Sequence, residues 1–266
     1  MTRSVWIAGA AGKMGKEAVK TLSQSPFYAL SETFTRATGL GKDAGHFAGL
    51  PEPLGQTLTL FSPDKALQSL SKHPSVPIWL DLTVADSAYE HAKWVLSQGV
   101  PMVIGATGFS QEQLVHMHNL ALEHRTGVLL APNFSIGALL MMRFAQLASR
   151  HFQWAEIIEL HHEQKKDAPS GTARITAEMM VETNPDFQVA TPDFSARGDL
   201  SSGIPIHSVR LPGLLAHQEV ILGGLGQTLT IRHDSLDRAS FMPGVLLALD
   251  KVLECEGLVN GLERFI

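Results

Sequence analysis

The sequence lacks the residues that would cross-link a chain or anchor it in a membrane. It has a single cysteine, Cys255, so an intramolecular disulfide is impossible and a reducing compartment, the cytoplasm, is expected. No Cys/His cluster has the spacing of a zinc site, and we expect no metal. No apolar run is long enough to cross a bilayer, and no signal or transit peptide is evident. We therefore predict a cytoplasmic protein without a membrane partner.

Excess charge of either sign is also missing. Lys and Arg number 21 against 26 Asp and Glu, a net charge of −5, so general affinity for nucleic acid is not expected. Any anionic ligand must be held by local positive groups. The 266 residues, 44% hydrophobic and 18% charged, suffice for one large domain or two moderate ones with ordinary cores.

The first half of the chain, from Val5 to about Asn133, alternates short apolar runs with amphipathic stretches. This pattern predicts β–α units around a parallel sheet, in the manner of a Rossmann-like α/β domain. Predicted strands lie near 4–8, 27–33, 56–61, 76–82, 100–104 and 127–131. Predicted helices lie near 13–24, 63–71, 86–97 and 110–124.

The second half changes to the pattern of an α+β domain with an open sheet. The predicted order is a helix near 136–150, a strand at 156–161, a helix near 172–183, a long connection at 184–205, and strands at 206–211, 216–222 and 228–232. Helices should cover one sheet face, and we expect another subunit to cover the other face. A final helix near 242–253 is expected to pack on the first domain.

A glycine-rich turn joins the first strand to the first helix. It consists of Gly9, Ala10, Ala11, Gly12, Lys13 and Met14, and Gly15 follows. Such a turn brings backbone N–H groups and the helix dipole onto a pyrophosphate, which predicts dinucleotide binding. A turn needed only for close packing of strand and helix is the alternative.

The end of the second strand bears on which dinucleotide is bound. NAD-preferring folds carry an acid about 20 residues after the glycines, and here that count reaches Thr35, followed by Arg36. Glu32 is near but lies inside the predicted strand. Because Lys13, Thr35 and Arg36 would accommodate a 2′-phosphate, we predict NADPH as the preferred cofactor and NADH as the alternative.

Two further turns follow predicted strands at the edge where ligands of open α/β sheets bind. They are Gly105, Ala106 and Thr107, and Ala131, Pro132, Asn133 and Phe134. Each alone could be an ordinary loop. As a pair they predict the surroundings of a nicotinamide.

The densest cluster of reactive and charged side chains lies between residues 159 and 173. His161 and His162 stand at a strand end, Lys165 follows, and Ser170, Gly171 and Thr172 begin a helix whose N–H groups suit a carboxylate or phosphate. While the chain stays extended, His161, Glu163 and Lys165 share a face, so His162 reaches the same place only if the strand ends there. A structural His pair and solvated lysines are the alternative, but the adjacent anion-binding turn favours a functional site.

Four motifs carry a resemblance to a known family. In chain order they are G-A-A-G-K-M-G, I-G-A-T-G-F, A-P-N-F-S-I-G and E-L-H-H-E-Q-K-K-D-A-P-S-G-T-A. Together they closely resemble the dihydrodipicolinate (4-hydroxy-tetrahydrodipicolinate) reductases of lysine and diaminopimelate biosynthesis, over essentially the whole chain. The resemblance implies an NAD(P)-binding domain of residues 1–132 plus 239–266 and a substrate-binding, tetramer-forming domain of 133–238.

The resemblance also implies residue roles. His161 would be the catalytic proton donor or acceptor and Lys165 a proton donor, and the ligands of a small dicarboxylate would be His162, Ser170, Gly171 and Thr172. A hydride would add to a conjugated ring imine and a proton would follow. The chain departs from the family pattern at Thr35, at Ala106 where a threonine is usual, and in the segment 81–85, which lacks the usual Phe and Pro.

The residues are also compatible with two other functions. One is a different dehydrogenase with a dinucleotide domain and an α+β substrate domain, such as a homoserine or sugar dehydrogenase. The other is a nucleotide-sensing binding protein that has kept the fold and lost the chemistry.

Overall fold

The computed structural model describes residues 2–184, 186 and 198–266, and the chain divides into two compact units. The first unit comprises Met1–Phe134 and Phe241–Phe265, and the second comprises Ser135–Ser240. The second unit is therefore an insertion in the chain of the first. The boundaries predicted from the sequence, 132/133 and 238/239, each lie two residues from these divisions.

The first unit is built on a seven-stranded sheet in which every neighbouring pair is parallel, in the order β12-β6-β5-β4-β1-β2-β3. The strands are β1 (Arg3–Ala8), β2 (Tyr28–Phe34), β3 (Leu58–Thr59), β4 (Ile78–Asp81), β5 (Met102–Ile104), β6 (Gly127–Leu130) and β12 (Gly257–Asn260). All residues of β4, β5 and β6 are buried, as a sheet covered on both faces requires. The prediction of a Rossmann-like α/β fold is thereby confirmed, although β12 was not predicted and β3 is shorter than expected.

Six helices belong to this unit: α1 (Lys13–Ser23), α2 (Ala44–Ala48), α3 (Pro63–Leu70), α4 (Ala85–Ser97), α5 (Gln111–Glu123) and α8 (Met242–Lys251). Helix α8 contacts α1. The predicted last helix is two residues too long, because a 3₁₀ turn at Val252–Glu254 follows α8. Cys255 comes next and is buried, and burial raises the pKa of its thiol to about 11, as suits a residue that only fills space.

The second unit is a mixed five-stranded sheet, in the order β11-β10-β7-β9-β8. In chain order its elements are α6 (Ile136–Ala148), β7 (Trp154–His161), α7 (Gly171–Thr183), β8 (Asp199–Ser201), β9 (Ile204–Arg210), β10 (Ala216–Gly224) and β11 (Gln227–Ser235). Strands β7 and β9 are parallel, and the other pairs are antiparallel. The prediction of a connection without strands at 184–205 was wrong at β8 and at the first residues of β9. Residues 185 and 187–197 of this connection fall outside the described part of the chain.

The two helices that the structure describes in the second unit lie on one face of this sheet. Glu159, Gln218 and His233 are direct partners across β7, β10 and β11, so their side chains share a face. A Cβ on Gly137 of α6 would lie 2.5 Å from the His233 ring, and the residue that precedes α7 donates a hydrogen bond to Glu159. The opposite face carries partly exposed apolar side chains such as those of Ile158, Leu160 and Ile221. In the parts of the chain that the structure describes, no helix is long and apolar enough to cross a membrane.

Candidate active site

The glycine turn of the first unit has a backbone that side chains would disrupt. Gly9 has φ +81°, and a Cβ there would lie 2.8 Å from the carbonyl oxygen of Leu82. A Cβ on Gly15 would lie 2.1 Å from the Gly9 carbonyl oxygen. Gly12 is the N-cap of α1 and offers no side-chain cap, so the N–H groups of the first turn are left for an external anion. These features fit the pyrophosphate of a dinucleotide.

The two other predicted cofactor turns lie at the same sheet edge. Gly105 follows β5 and donates a hydrogen bond to the carbonyl of Asp81, at 2.8 Å, while Ala131 follows β6 and donates to the carbonyl of Ile104, at 2.8 Å. A Cβ on Gly105 would lie 2.9 Å from the ring of Phe134 and 3.1 Å from the Leu82 side chain. The structure thus brings together the turns 105–107 and 131–134 and the turn after β4.

Asp81 holds the turn after β4 in place. Its carboxylate is fully buried and accepts hydrogen bonds from Trp79 Nε1 and from the backbone N–H of Thr83, both at 3.0 Å. His91 Nδ1 lies 2.7 Å from the same carboxylate. Sequence reasoning noted this segment only for its departure from the family pattern. An acid that directly ends a buried strand was the signal available for it.

The end of β2 lies beside a group of positive charges. Thr35 directly follows β2, and its hydroxyl donates to the Thr38 carbonyl at 2.9 Å. Arg36 is exposed. Nearby, the ammonium groups of Lys16 and Lys42 lie 4.3 and 5.9 Å from the centre of the Phe47 ring, against which Gly39 also packs. Glu32 accepts a hydrogen bond from the Ser69 hydroxyl of α3 and lies within β2, not at its end.

In the second unit, β7 ends at His161, and the chain then turns. The Lys165 N–H donates to the His162 carbonyl at 3.1 Å, so Glu163 and Lys165 do not continue the strand face of His161. The strand therefore ends directly before His162. This is the condition under which the sequence allows His162 to reach the same place as His161. Lys165 Nζ lies 2.8 Å from both carboxylate oxygens of Asp167, which is mostly exposed.

The predicted anion-binding turn is the N-terminus of α7. Ser170 is buried, and its hydroxyl accepts a hydrogen bond from the Ala173 N–H at 3.2 Å, which caps the helix. Gly171 and Thr172 are the first two helical residues, where N–H groups point out of the helix end. Gly171 is exposed, and a Cβ on it would have nothing within 4 Å, so the space beside this residue is open.

A fully buried carboxylate connects these groups. Glu159 accepts hydrogen bonds from His161 Nδ1 at 2.6 Å, from two nitrogens of Arg210 at 2.8 Å each, and from the Ser170 N–H at 3.2 Å. Burial would raise the pKa of Glu159, but hydrogen bonds from His161, Arg210 and Ser208 outweigh it and lower the pKa to about 2. Arg210 also donates to the Asp167 carbonyl at 2.7 Å.

Sequence reasoning gave neither Glu159 nor Arg210 a role. The alternation of a strand does place Glu159 on the face of His161, which was a usable signal. Arg210 is 51 residues from Glu159, and only the pairing of β9 with β7 sets it opposite His161.

Comparisons with known proteins cover the whole chain. The family model described as dihydrodipicolinate reductase, N-terminus, matches residues 3–134, and its C-terminus counterpart matches 137–266. The 4-hydroxy-tetrahydrodipicolinate reductase of Moorella thermoacetica is 46% identical over 269 residues, 100% of this chain and 98% of the relative. The 4-hydroxy-tetrahydrodipicolinate reductase of Geobacillus thermodenitrificans is 44% identical, and the match covers 100% of this chain and 100% of that relative.

Solved structures agree with these relatives. The dipicolinate-bound dihydrodipicolinate reductase from Paenisporosarcina sp. TG-14 is 41% identical, with a TM-score of 0.81 and full coverage of both chains. An amine dehydrogenase from Mycobacterium smegmatis has a TM-score of 0.65 but only 13% identity over 99% of this chain and 95% of that one, so it shares the fold alone.

Proposed function

The chain belongs to the dihydrodipicolinate reductase family and is an NAD(P)H-dependent reductase of lysine and diaminopimelate biosynthesis, and on that premise we propose which residues act on 4-hydroxy-tetrahydrodipicolinate. Its reduction to tetrahydrodipicolinate consumes one hydride and one proton and releases water. The dinucleotide, when bound, supplies the hydride. The observation that carries the assignment is the attachment of His161 and the start of α7 to the same buried carboxylate, Glu159.

The start of α7 binds a carboxylate of the substrate in this proposal. Backbone N–H groups of Gly171 and Thr172 approach an anion in front of the helix, and the Ser170 cap keeps that turn rigid. His162 directly follows β7 and contributes a further donor. A dicarboxylate suits this region because several donors and cations converge there in a chain of net negative charge.

Protons are handled by His161 and Lys165. Glu159 occupies Nδ1 of His161, which leaves Nε2 as the nitrogen that gives or takes a proton. Lys165 carries a compact charge on a long side chain, and its partner Asp167 is mostly exposed, so a substrate anion can replace that partner. Together they stabilise and protonate the charge that develops on the ring after hydride addition.

The first unit binds the dinucleotide, and NADPH is the preferred form. The residues proposed to contact it are Gly9, Ala10, Ala11, Gly12, Lys13, Met14, Thr35, Arg36, Gly105, Ala106, Thr107, Ala131, Pro132, Asn133 and Phe134. Thr35 stands where an acid would repel a 2′-phosphate, and Arg36 offers that phosphate a bidentate partner.

The protein assembles as a homotetramer in the cytoplasm through its second unit. The sheet face opposite α6 and α7 carries partly exposed apolar side chains, and a second copy of the chain would cover them. Light scattering on the purified protein tests this proposal. A monomer at micromolar concentration would contradict it.

The function is tested by oxidation of NADPH with substrate made in situ from pyruvate and aspartate semialdehyde by the preceding synthase. We expect turnover, and we expect Lys165→Ala to lower kcat by at least about 100-fold, because the positioned cation and proton are lost. Lys166→Ala, at the exposed neighbouring lysine, is the matched control and should leave kcat unchanged. Equal losses in both variants would contradict the role of Lys165.

Cofactor choice is tested with Arg36→Ala. Removing a charge-assisted pair with the 2′-phosphate should raise KM for NADPH by about 10-fold or more. KM for NADH, which has no 2′-phosphate, should not change and serves as the internal control. A similar rise for both cofactors would show that Arg36 supports the fold rather than the choice of cofactor.

A further inference from the structure

Each oxygen of the buried Glu159 carboxylate holds a different part of the proposed substrate-binding region. Oε2 accepts from His161 Nδ1 at 2.6 Å, and Oε1 accepts from the backbone N–H of Ser170 at 3.2 Å. Arg210 donates to both oxygens at 2.8 Å, and this two-point contact fixes the plane of the carboxylate. A rotation or displacement of this group would therefore move His161 and the start of α7 together.

The carboxylate also decides which nitrogen of His161 carries a proton. An ionised carboxylate only accepts hydrogen bonds, so Nδ1 must be the protonated nitrogen. In the neutral ring, Nε2 is then the free base. Without Glu159, the neutral imidazole would divide between two tautomers, and in one of them Nε2 could not accept a proton.

Charge balance explains why Arg210 accompanies Glu159. An unpaired buried carboxylate beside the α7 turn would repel a dianionic substrate. Arg210 neutralises it and reaches further, to the Asp167 carbonyl at 2.7 Å. Asp167 is the ion partner of Lys165, so the same guanidinium also orders the turn that carries the second proton donor.

On the premise of the proposed function, we propose that Glu159 is a positioning residue that aligns His161 and the α7 anion-binding turn at once. In the same arrangement Arg210 neutralises Glu159, so that a dicarboxylate can bind beside it. Neither residue needs to touch the substrate. Both act through the groups that they hold.

The first test compares Glu159→Gln with Glu178→Gln. Glu178 is an exposed carboxylate of α7 in the same unit, away from both the proposed site and the open sheet face. We expect Glu159→Gln to lower kcat by about 10- to 100-fold and to raise KM for the substrate, because both His161 and the anion turn are displaced. Glu178→Gln should change neither. Unchanged kinetics in Glu159→Gln would overturn the proposal.

The second test measures the tautomer of His161 and does not depend on turnover. Ring nitrogen-15 shifts, assigned by comparison with His161→Asn, should show a single Nδ1–H tautomer when the ring is neutral. In Glu159→Gln they should show a mixture. An unchanged tautomer would overturn the positioning role. If the proposed function itself were wrong, the result would be different. The wild-type protein would then reduce no substrate, whichever tautomer His161 adopts.

The third test concerns charge balance. Arg210→Met should raise KM for the dicarboxylate at least 10-fold, since it leaves Glu159 unpaired, and the double variant with Glu159→Gln should recover part of that loss. Additive effects would contradict charge compensation. If Arg210→Met does not fold, Arg210→Lys keeps the charge without the two-point contact. It should raise KM less than fivefold, and an increase of 10-fold or more would contradict charge compensation.

Discussion

A carboxyl group that is buried away from water needs hydrogen-bond donors in place of that water, and both Asp81 and Glu159 have such donors. Asp81 holds the turn after β4 beside the proposed cofactor turns, and Glu159 joins the groups proposed for proton transfer and anion binding. In each case one buried acid holds residues that are proposed to contact the ligand. Their supporting donors therefore matter as much as the residues that the motifs display.

Glu159 makes stability depend on pH with a definite sign. Its pKa falls from 4.5 to about 2 in the folded protein, so its contribution is present above pH 4.5 and is lost as the pH falls toward 2. At about 1.4 kcal/mol per pKa unit, this amounts to about 3 kcal/mol. Urea unfolding should therefore show a steeper loss of stability between about pH 5 and 3 for the wild type than for Glu159→Gln. Parallel curves would contradict this linkage.

At the scale of elements, the strand-to-helix turn between β1 and α1 depends on glycine. Gly9→Ala places a methyl group 2.8 Å from the Leu82 carbonyl oxygen in a backbone with positive φ, so the turn must shift. Gly55→Ala imposes a similar positive φ with nothing within 4 Å. We expect Gly9→Ala to weaken dinucleotide binding by about 10-fold or more. Gly55→Ala should cost about 1 kcal/mol of stability and leave binding intact.

Calorimetric titration with NADPH, beside thermal unfolding of both variants, measures these two effects separately. Equal dinucleotide affinity in Gly9→Ala and Gly55→Ala would show that the Leu82 contact does not shape the binding turn.

Elements with a strong apolar or amphipathic pattern could be predicted from the sequence, and elements without one could not. The amphipathic period located α1, and continuous apolar runs located β4–β6, because burial on one face or on both leaves such a pattern. The helix α2 and the strand β8 have neither a clear period nor an apolar run. The strand β12 has only two apolar residues, and its place beside β6 depends on a contact between distant parts of the chain.

The residues of the candidate site also differ in whether the local sequence could reveal them. His161, Lys165 and the turn Ser170–Thr172 lie within twelve residues, so local sequence displays them together. Arg210 joins them only through strand pairing, and the role of Asp167 toward Lys165 depends on how the chain turns after β7. Local patterns therefore revealed the groups proposed to meet the substrate, whereas the groups that support them required the fold.

At the scale of the whole molecule, the last residues complete the sheet of the first unit. Strand β12 pairs with β6, and the fully buried Leu262 follows it. Deleting residues 257–266 would bare the edge of β6 and remove a buried leucine worth about 2 kcal/mol, in addition to the lost strand hydrogen bonds. We expect a markedly lower melting temperature and aggregation on heating. Deleting only Ile266 is the control and should leave melting nearly unchanged, and a similar loss in both would contradict this role of β12.

The order of the two units along the chain affects how the protein folds during synthesis. The second unit is inserted between β6 and the segment that returns to the first unit. At about 5–20 residues per second, the ribosome needs roughly 6 to 25 seconds to add residues 131–256. During that time, β6 stands as an open apolar edge on a nascent sheet. The dinucleotide-binding unit is thus the first to begin folding and the last to finish, and a prematurely terminated chain carries the pairing hazard of an unfinished sheet.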